Sequence, residues 1–223
     1  MSVTDREQVL KAILDSGIVG IIRTTSADQA HRAITAILEG GLSVIEVTFT
    51  VPGAVDIIRQ LDQSIGQQTV IGAGTVLTPE DVHAAIAAGA RFLVAPNTNP
   101  AVIAAAKQYP RVVIPGTLSP TEVVSALQAG ADMVKIFPAN IVGPGYLRDL
   151  RGPLPNVLFL PTGGLDLTNA ADWLRAGAAA LGVGGNILDK KAMAEGRWEV
   201  LTQNARAFVQ LVQETRAALS RGR

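Results

Sequence analysis

The stretch VIGAGTVLTPEDVHAAIAAGARFLVAPN, residues 70–97, decides the fold. It begins with a Val- and Ile-rich run, passes through a turn rich in Gly and Thr, and continues as the Ala-rich segment PEDVHAAIAAG. A proline in the first turn, here Pro79, and a glycine at the end are typical of a helix. A second apolar run, FLVAPN, follows. This order predicts two parallel strands joined by a helical crossover.

The same pattern recurs along the chain at intervals of about 23 residues. The eight apolar runs are VGIIR (19–23), VIEVTF (44–49), VIGAGTV (70–76), FLVAPN (92–97), VVIPG (112–116), MVKIFP (133–138), VLFLPTGG (157–164) and LGVGG (181–185). An open doubly wound sheet is the competing architecture, but eight evenly spaced strand–helix units favour closure. We therefore predict a (β/α)8 TIM barrel, an α/β fold that forms a single domain over residues 1–223, with an extra N-terminal helix.

The composition suits buried parallel strands and a small-molecule ligand. Hydrophobic residues make up 48% of the chain but aromatic residues only 4%, so aliphatic side chains must fill the core. Strands of a parallel barrel are covered on both faces, which requires such side chains. The formal net charge is zero, from 19 basic and 19 acidic residues, so no basic field is available for nucleic acid or an anionic membrane. We expect a small-molecule substrate as the partner.

The sequence contains no motif for export, membrane insertion or a bound cofactor. The segment MSVTDREQVLKAIL (1–14) is charged and amphipathic, unlike a signal peptide, and no apolar run is long enough to span a bilayer. The chain has no cysteine, which is compatible with a reducing cytosol. His31 and His83 have no second ligand at metal spacing, and Gly72-Ala-Gly74 lacks the rest of a dinucleotide motif. We expect a cytoplasmic protein without a metal or cofactor.

Polar residues at the ends of the apolar runs are the candidates for chemistry, because barrel enzymes carry their active sites at the carboxyl ends of the strands. These residues are Arg23, Glu46, Thr48, Thr75, Asn97, Lys135 and Thr162. Thr75 follows Gly-Ala-Gly, so a ligand can approach the backbone there. Arg23 has two interpretations: it is an exposed arginine at the rim of the barrel, or it binds the carboxylate or phosphate of a ligand.

Two charged residues interrupt otherwise apolar runs. Lys135 lies in MVKIFP and Glu46 lies in VIEVTF. The second and sixth runs lie opposite each other in an eight-stranded barrel, so both side chains can face one cavity. Burying a lone charge is costly, which leaves two interpretations. The residues form a structural ion pair, or they are a desolvated nucleophilic amine and a carboxylate that acts as acid and base.

Glycine-rich turns follow the last two runs. They are PTGG, residues 161–164, and GVGGN, residues 182–186. The loops after strands seven and eight form the phosphate site of many barrels, from backbone N–H groups and a short helix N-terminus. Such a site needs no positive side chain. The two turns therefore indicate a ligand that carries a phosphate group.

Together these segments resemble a known family. From about residue 17 to about residue 188 the chain is similar to the class I 2-keto-3-deoxy-6-phosphogluconate (KDPG) and 4-hydroxy-2-oxoglutarate (KHG) aldolases. The segments that carry the resemblance are IIR, VIEVTFTVP, IGAGTVL, APN, IPG, KIFPA, GPGYLRDLRGPLPNV, PTGG and GVGGN. The resemblance implies a homotrimeric lyase that cleaves KDPG to pyruvate and glyceraldehyde 3-phosphate through a lysine Schiff base. In some family members KHG is cleaved as well, to pyruvate and glyoxylate.

The resemblance also implies roles for individual residues. Lys135 is then the Schiff-base lysine and Glu46 the general acid and base. The implied substrate-binding residues are Thr75 at the pyruvate carboxylate, Pro96 and Phe137 at the pyruvyl group, and Gly163, Gly164, Gly184, Gly185 and Asn186 at the phosphate. Thr50 stands where one branch of the family has a carboxylate-binding arginine, which leaves Thr50 or Arg23 to hold that anion. Asn186 stands where some members carry serine.

Three alternatives remain open. The 2-dehydro-3-deoxy-6-phosphogalactonate aldolases act on the other configuration of the hydroxyl and tend to have an apolar residue at the position of Thr162. A threonine can hydrogen-bond a substrate hydroxyl, which favours the gluconate series. A phosphate-binding barrel isomerase or synthase would need no covalent amine. A non-catalytic binding barrel is not expected to retain both Lys135 and Glu46.

Overall fold

The computed structural model describes residues 5–221, and strands alternate with helices through that range. The strands are β1 (Ile18–Ile22), β2 (Val44–Thr48), β3 (Val70–Gly74), β4 (Phe92–Val94), β5 (Val112–Ile114), β6 (Gly116–Thr117), β7 (Val134–Ile136), β8 (Phe159–Pro161) and β9 (Leu181–Val183). The helices are α1 (Asp5–Ser16), α2 (Ala27–Glu39), α3 (Ala54–Ile65), α4 (Pro79–Ala87), α5 (Pro100–Ala106), α6 (Pro120–Gln128), α7 (Gly143–Arg151), α8 (Ala170–Arg175), α9 (Lys190–Ala194) and α10 (Trp198–Arg221), with a 3₁₀ helix at Ala139–Ile141. The predicted domain also includes residues 1–4 and 222–223, which lie outside the described residues.

The eight predicted runs become nine strands because Pro115 interrupts the fifth run. Proline has no backbone N–H and cannot donate to a strand ladder. Before it, β5 pairs with β4, and after it, β6 pairs with β7 through Gly116 and Lys135. The carbonyl of Pro115 still accepts from the Lys135 N–H at 2.9 Å. The fifth run therefore connects two sheets.

All strand pairs are parallel, and the strand order follows the chain. One sheet has the order β5-β4-β3-β2-β1-β9 and the other the order β6-β7-β8. A bridge between Thr162 and Gly182 and a 2.9 Å bond from Ala179 N to Phe159 O join β8 to β9. A doubly wound sheet would reverse its strand order about an inner strand, and this order does not. The fold is a curled, TIM-barrel-like α/β sheet.

The residues on the inner face of the sheet form a core of their own. Side chains alternate between the two faces of a strand, so one face is read from every second residue. The buried inner cluster contains Val19, Val44, Phe92, Val94, Val112, Ile114, Met133, Leu160 and Ala180. Two residues beyond Val44, Met133 and Leu160 along the same face come Glu46, Lys135 and Thr162. The apolar inner core therefore becomes polar toward the carboxyl ends of the strands.

The extra N-terminal helix is confirmed as α1, which covers the amino end of the sheet. Val9 and Ile13 are buried in the same inner cluster as the strand residues. Arg216 of α10 fixes the end of α1 by donating to the carbonyl of Leu14 at 2.7 Å. Because this end is filled with apolar side chains, the carboxyl end is the one left for a ligand.

The outer helices begin where their caps predict. The Ser26 hydroxyl accepts from the Gln29 N–H at the start of α2, and Thr78 with Asp81 forms a capping box at the start of α4. A second capping box, from Ser119 and Glu122, starts α6. None of the helices described between residues 5 and 221 is long and apolar enough to cross a membrane.

Candidate active site

A cavity of about 630 Å³ opens at the carboxyl ends of the strands, among the loops after β1, β7, β8 and β9. This volume lies within the range of about 300–1,000 Å³ that is common for small-molecule sites. The predicted site residues that line it are Arg23, Lys135, Phe137, Thr162, Gly163, Gly164, Gly184, Gly185 and Asn186. The fold therefore brings together nine predicted residues from four separate segments of the chain.

Lys135 is a buried amine in the wall of this cavity. It is the central residue of β7, between the fully buried Val134 and Ile136, and is only 5% exposed. Its Nζ lies 5.1 Å from the ring centroid of Phe137. Burial lowers the pKa of the Lys135 amine, the negative charge of Glu46 partly opposes this, and Arg23 lowers the pKa further. Its neutral, nucleophilic form is therefore favoured.

Glu46 is a buried carboxyl group in β2, and it does not line the cavity. It is 1% exposed, and its Oε2 has no hydrogen-bond partner among the described residues. Burial raises the pKa of this carboxyl group, and the positive charge of Lys135 partly opposes the shift. The neighbouring strand provides the space, because a Cβ at Gly74 would lie 1.9 Å from Glu46 Oε1. Only glycine at that position leaves room for the carboxyl group.

Lys135 and Glu46 interact through their charges but do not form an ion pair. No contact of 4.0 Å or less joins the amine to the carboxylate among residues 5–221, although each changes the pKa of the other. A structural ion pair would need direct contact to offset the desolvation of both groups. The pKa shifts instead move the amine toward its neutral form and the carboxyl group toward its protonated form, which are the forms needed to attack and protonate a carbonyl compound.

Arg23 and Thr50, the two candidates for holding an anion, differ in position. Arg23 is exposed, lines the cavity and makes no hydrogen bond or ion pair with another described residue. Thr50 does not line the cavity, and its hydroxyl lies 2.8 Å from that of Thr48. Thr48 donates to the carbonyl of Ile22, so Thr50 is the donor to Thr48. The free cation of Arg23 is therefore better placed for a ligand.

Thr75 and Pro96 lie in the loops after β3 and β4, outside the wall of the cavity. Thr75 has a φ of 58°, and among the described residues it is the one non-glycine with positive φ. A threonine in this conformation is strained, a condition that clusters at functional sites. The backbone of Pro96 packs closely on Gly116, where an added Cβ would lie 2.3 Å from Pro96 C and O.

The two glycine turns are joined by a side chain. Asn186 donates from Nδ2 to the carbonyl of Leu165 at 2.7 Å, which fixes the turn after β9 to the turn after β8. Gly163 and Gly164 have φ values of 100° and 71°. The backbone N–H groups of Gly163, Gly164, Gly185 and Asn186 donate no hydrogen bond to another described residue. Unpaired amides in adjacent turns are suited to binding an anion.

Thr162 has little room and one weak hydrogen bond. It is 5% exposed and lines the cavity, and its hydroxyl lies 3.4 Å from the carbonyl of Leu160. A Cβ at Gly182 would lie 2.2 Å from Thr162 Oγ1, so the glycine in the neighbouring strand makes space for this hydroxyl. Because its bond to Leu160 is long, the hydroxyl can be redirected to a ligand at small cost.

The sequence analysis missed three polar residues of the cavity wall. These are Thr24, Thr25 and Lys190. Lys190 starts α9, four residues after Asn186, and its place directly after the second glycine turn was the signal that could have identified it. Among residues 5–221 no cluster of three or more His, Asp or Glu side chains is suited to a metal ion.

Comparisons with known proteins identify the family of the chain. The sequence model of the KDPG and KHG aldolases matches residues 9–204. The 2-dehydro-3-deoxy-6-phosphogalactonate aldolase of Escherichia coli (strain K12) is 34% identical over 88% of this chain and 95% of its own length. The 2-dehydro-3-deoxy-phosphogluconate aldolase of Treponema pallidum (strain Nichols) is 32% identical over 92% and 97%. The structure of the Legionella pneumophila KDPG aldolase, with pyruvate captured as a covalent carbinolamine, superposes with a TM-score of 0.82 at 31% identity over 88% and 96%. The chain therefore belongs to the KDPG and KHG aldolase family of lyases.

Proposed function

We propose that this aldolase cleaves KDPG to pyruvate and glyceraldehyde 3-phosphate through a Schiff base on Lys135, and that KHG is a second substrate. The observation that carries the proposal is a pair of buried groups, Lys135 in the wall of the cavity and Glu46, which does not line the cavity but shifts the pKa of Lys135. An amine and a carboxyl group face each other across the inner side of the sheet without neutralising each other. A binding protein or a non-covalent isomerase would gain nothing from burying both at the expense of stability.

The first half of the proposed reaction joins the substrate to the enzyme. The neutral Nζ of Lys135 attacks the C2 carbonyl carbon of KDPG to give a carbinolamine. Glu46 donates its proton to the C2 hydroxyl group, which leaves as water while the C=N bond forms. The product is a cationic iminium beside the carboxylate of Glu46. The raised pKa of Glu46 makes the proton available for this step.

The second half breaks the carbon–carbon bond. The Glu46 carboxylate takes the proton from the C4 hydroxyl, the C4–O bond becomes a carbonyl, and the electrons of the C3–C4 bond move to the iminium nitrogen. Glyceraldehyde 3-phosphate leaves and an enamine remains. Glu46 then protonates C3, which regenerates the iminium. Water adds to the iminium while the Glu46 carboxylate takes up the released proton, so pyruvate leaves and the free amine of Lys135 and the protonated Glu46 are restored.

The cavity provides a position for each charged end of the substrate. Arg23, which is close enough to change the pKa values of Lys135 and Glu46, binds the C1 carboxylate in this proposal, together with Thr75. Phe137 and Pro96 flank the pyruvyl group. The phosphate binds the two glycine turns at Gly163, Gly164, Gly184, Gly185 and Asn186, where the backbone amides of Gly163, Gly164, Gly185 and Asn186 are unpaired among the described residues.

The second candidate substrate is 2-dehydro-3-deoxy-6-phosphogalactonate, because one of the relatives is named as an aldolase of that compound. Thr162 favours the gluconate series, since its weakly bound hydroxyl lines the cavity and can bond a substrate hydroxyl. Measuring kcat/KM for both epimers with the wild type and Thr162→Val tests this assignment. We expect a preference for KDPG that the variant reduces about 10-fold. An unchanged preference would contradict the assignment to Thr162.

Borohydride reduction in the presence of pyruvate tests the covalent step. Intact mass and peptide mapping should find one pyruvate adduct, on Lys135, and Lys135→Met should show none. A folded wild type without an adduct would overturn the Schiff-base mechanism. The same result would favour a non-covalent phosphate-binding barrel.

We also propose that the two sheets close into one (β/α)8 barrel, that the chain is a single domain, and that it assembles as a homotrimer. The links from β8 to β9 and through Pro115 support closure. Exposed large apolar side chains after strand ends, Leu77, Ile141 and Leu167, support an assembly that covers them. Light scattering on the purified protein should give three times the mass of the chain, and a monomer would contradict the trimer.

A further inference from the structure

The charged side chains of the cavity wall are all positive. Arg23, Lys135 and Lys190 line it, and no Asp or Glu does so among the described residues. Lys135 is only 5% exposed, so Arg23 and Lys190 are the cations of the wall that are exposed to a ligand. A wall of this kind attracts a ligand with negative charge on more than one group.

The two exposed cations belong to different parts of the cavity. Arg23 follows β1 and acts on the charges of Lys135 and Glu46, whereas Lys190 is not among the groups that shift either pKa. Lys190 comes four residues after the last residue of the second glycine turn, and the buried Ile187 lies between them. Arg23 therefore lies toward the reacting groups and Lys190 toward the turns with unpaired amides.

The local structure of α9 does not account for a lysine at this position. Asp189 caps the helix by accepting from the Ala192 N–H at 2.7 Å. A lysine in the first turn opposes the partial positive charge of the free amides there, so it costs stability rather than adding it. Lys190 forms no hydrogen bond or ion pair with another described residue. Its contact with the cavity is the remaining explanation.

We infer that Lys190 is a specificity-determining residue whose ammonium group contacts the terminal phosphate of the substrate and so selects phosphorylated substrates over short unphosphorylated oxo acids. This inference rests on the proposed function, because it concerns the same cavity. The backbone amides of the turns supply directed donors but no net charge. The ammonium group supplies a positive charge for the phosphate dianion. KHG ends in a carboxylate close to the reacting carbons, so it does not reach this ammonium group.

The neighbouring residue offers a matched control. Lys191 is also exposed, also lies in α9 and also has no ion pair with a described residue, but it does not line the cavity. We expect Lys190→Ala to raise KM for KDPG about 5- to 20-fold, with kcat and the KM for KHG changed less than about 2-fold. Lys191→Ala should leave both substrates unaffected. An equal rise of KM for both substrates, or the same effect from Lys191→Ala, would overturn the inference.

Binding of glycerol 3-phosphate, measured by calorimetry, separates this inference from the proposed reaction. We expect Lys190→Ala to weaken this binding about 5-fold or more at low salt, and the difference to shrink at high salt as the charges are screened. If Lys190→Ala binds glycerol 3-phosphate more weakly but the wild type does not cleave KDPG, the proposed reaction is overturned and the phosphate contact is supported. Unchanged binding in Lys190→Ala, or no binding by the wild type, would overturn the contact even in an enzyme that cleaves KDPG.

Discussion

Two buried carboxyl groups, at opposite ends of the curled sheet, have very different surroundings. Asp132, before β7, has a side chain with no exposure, and it accepts from Arg6 Nε at 2.8 Å and from the Val113 N–H at 2.8 Å. Lys107 adds a second positive charge at 3.9 Å. Glu46, in β2, has no hydrogen bond to a described residue, and its nearest opposite charges do not touch it.

The difference indicates which carboxyl group holds the fold together and which is available for chemistry. Buried polar groups are nearly always hydrogen-bonded, because leaving one unpaired costs stability. Asp132 follows this rule and fastens α1 to the amino end of the strands. Glu46 breaks the rule within reach of the charges of Lys135 and Arg23, which line the cavity, and in the proposed reaction its unpaired carboxyl group exchanges a proton with the substrate. The following predictions sharpen or break this distinction.

The largest effect is expected for Lys135→Met, which removes the amine that Glu46 faces. We expect the aldolase rate to fall about 10⁴- to 10⁶-fold, because the covalent step is lost. The free energy of unfolding should not decrease, since a methionine of similar length has no charge to desolvate. Kinetics and urea unfolding measure the two effects. Lys107→Met is the control with near wild-type activity, and retention of more than about a hundredth of the rate in Lys135→Met would contradict the prediction.

Glu46→Gln should lower kcat about 10²- to 10⁴-fold, because the amide cannot exchange a proton with the substrate. The side chain keeps its shape, so we expect a stability equal to or higher than that of the wild type. Borohydride should still trap pyruvate on Lys135, but more slowly. The measurements are steady-state kinetics and timed trapping, and a kcat within about 10-fold of the wild type would show that Glu46 is not the acid and base.

Asp132→Ala should have the opposite pattern. The change leaves the buried Val113 N–H and the guanidinium of Arg6 without their acceptor, which is expected to cost about 2–3 kcal/mol of unfolding free energy. The kcat should be unchanged, because Asp132 lies at the end of the sheet away from the cavity. Urea unfolding and kinetics check this. The control, Asp15→Ala, removes an exposed partner of Lys11 and should have no measurable effect on stability.

The smallest effect concerns the pH dependence of stability. Folding raises the pKa of Glu46 above 4.5. At pH values between 4.5 and the raised pKa, the folded state therefore binds more protons than the unfolded state, and the free energy of unfolding falls as the pH rises. Folding lowers the pKa of Lys135 below 10.5, so below 10.5 the unfolded state binds more protons, and stability rises with pH through that window.

Urea unfolding at a series of pH values tests these signs. Glu46→Gln should remove the fall and Lys135→Met should remove the rise, each with a change in slope of at most about 1.4 kcal/mol per pH unit. Arg23→Gln serves as a comparison, because Arg23 acts on both groups. Curves that run parallel to the wild type in both variants would contradict the assigned pKa shifts.

Much of the fold and most of the cavity wall followed from local patterns. The proline at position 79 predicted a helix start that the structure confirms as the start of α4. Local chemistry does not show how segments far apart in the chain approach each other. For this reason Lys190 was missed, while Glu46, Thr50, Thr75 and Pro96 were predicted in the site and do not line the cavity.

The sequence by itself determined the repeated strand–helix order, the family, and the presence of two charged residues inside apolar strands. Each of these depends on short-range spacing, which side-chain alternation and helix capping convert directly into structure. Only the tertiary structure decided that Glu46 and Lys135 face each other without an ion pair. It also decided that Asp132 is satisfied and that Pro115 divides a strand between two sheets. These features depend on distances between side chains from separate strands, and the packing of the whole sheet sets those distances.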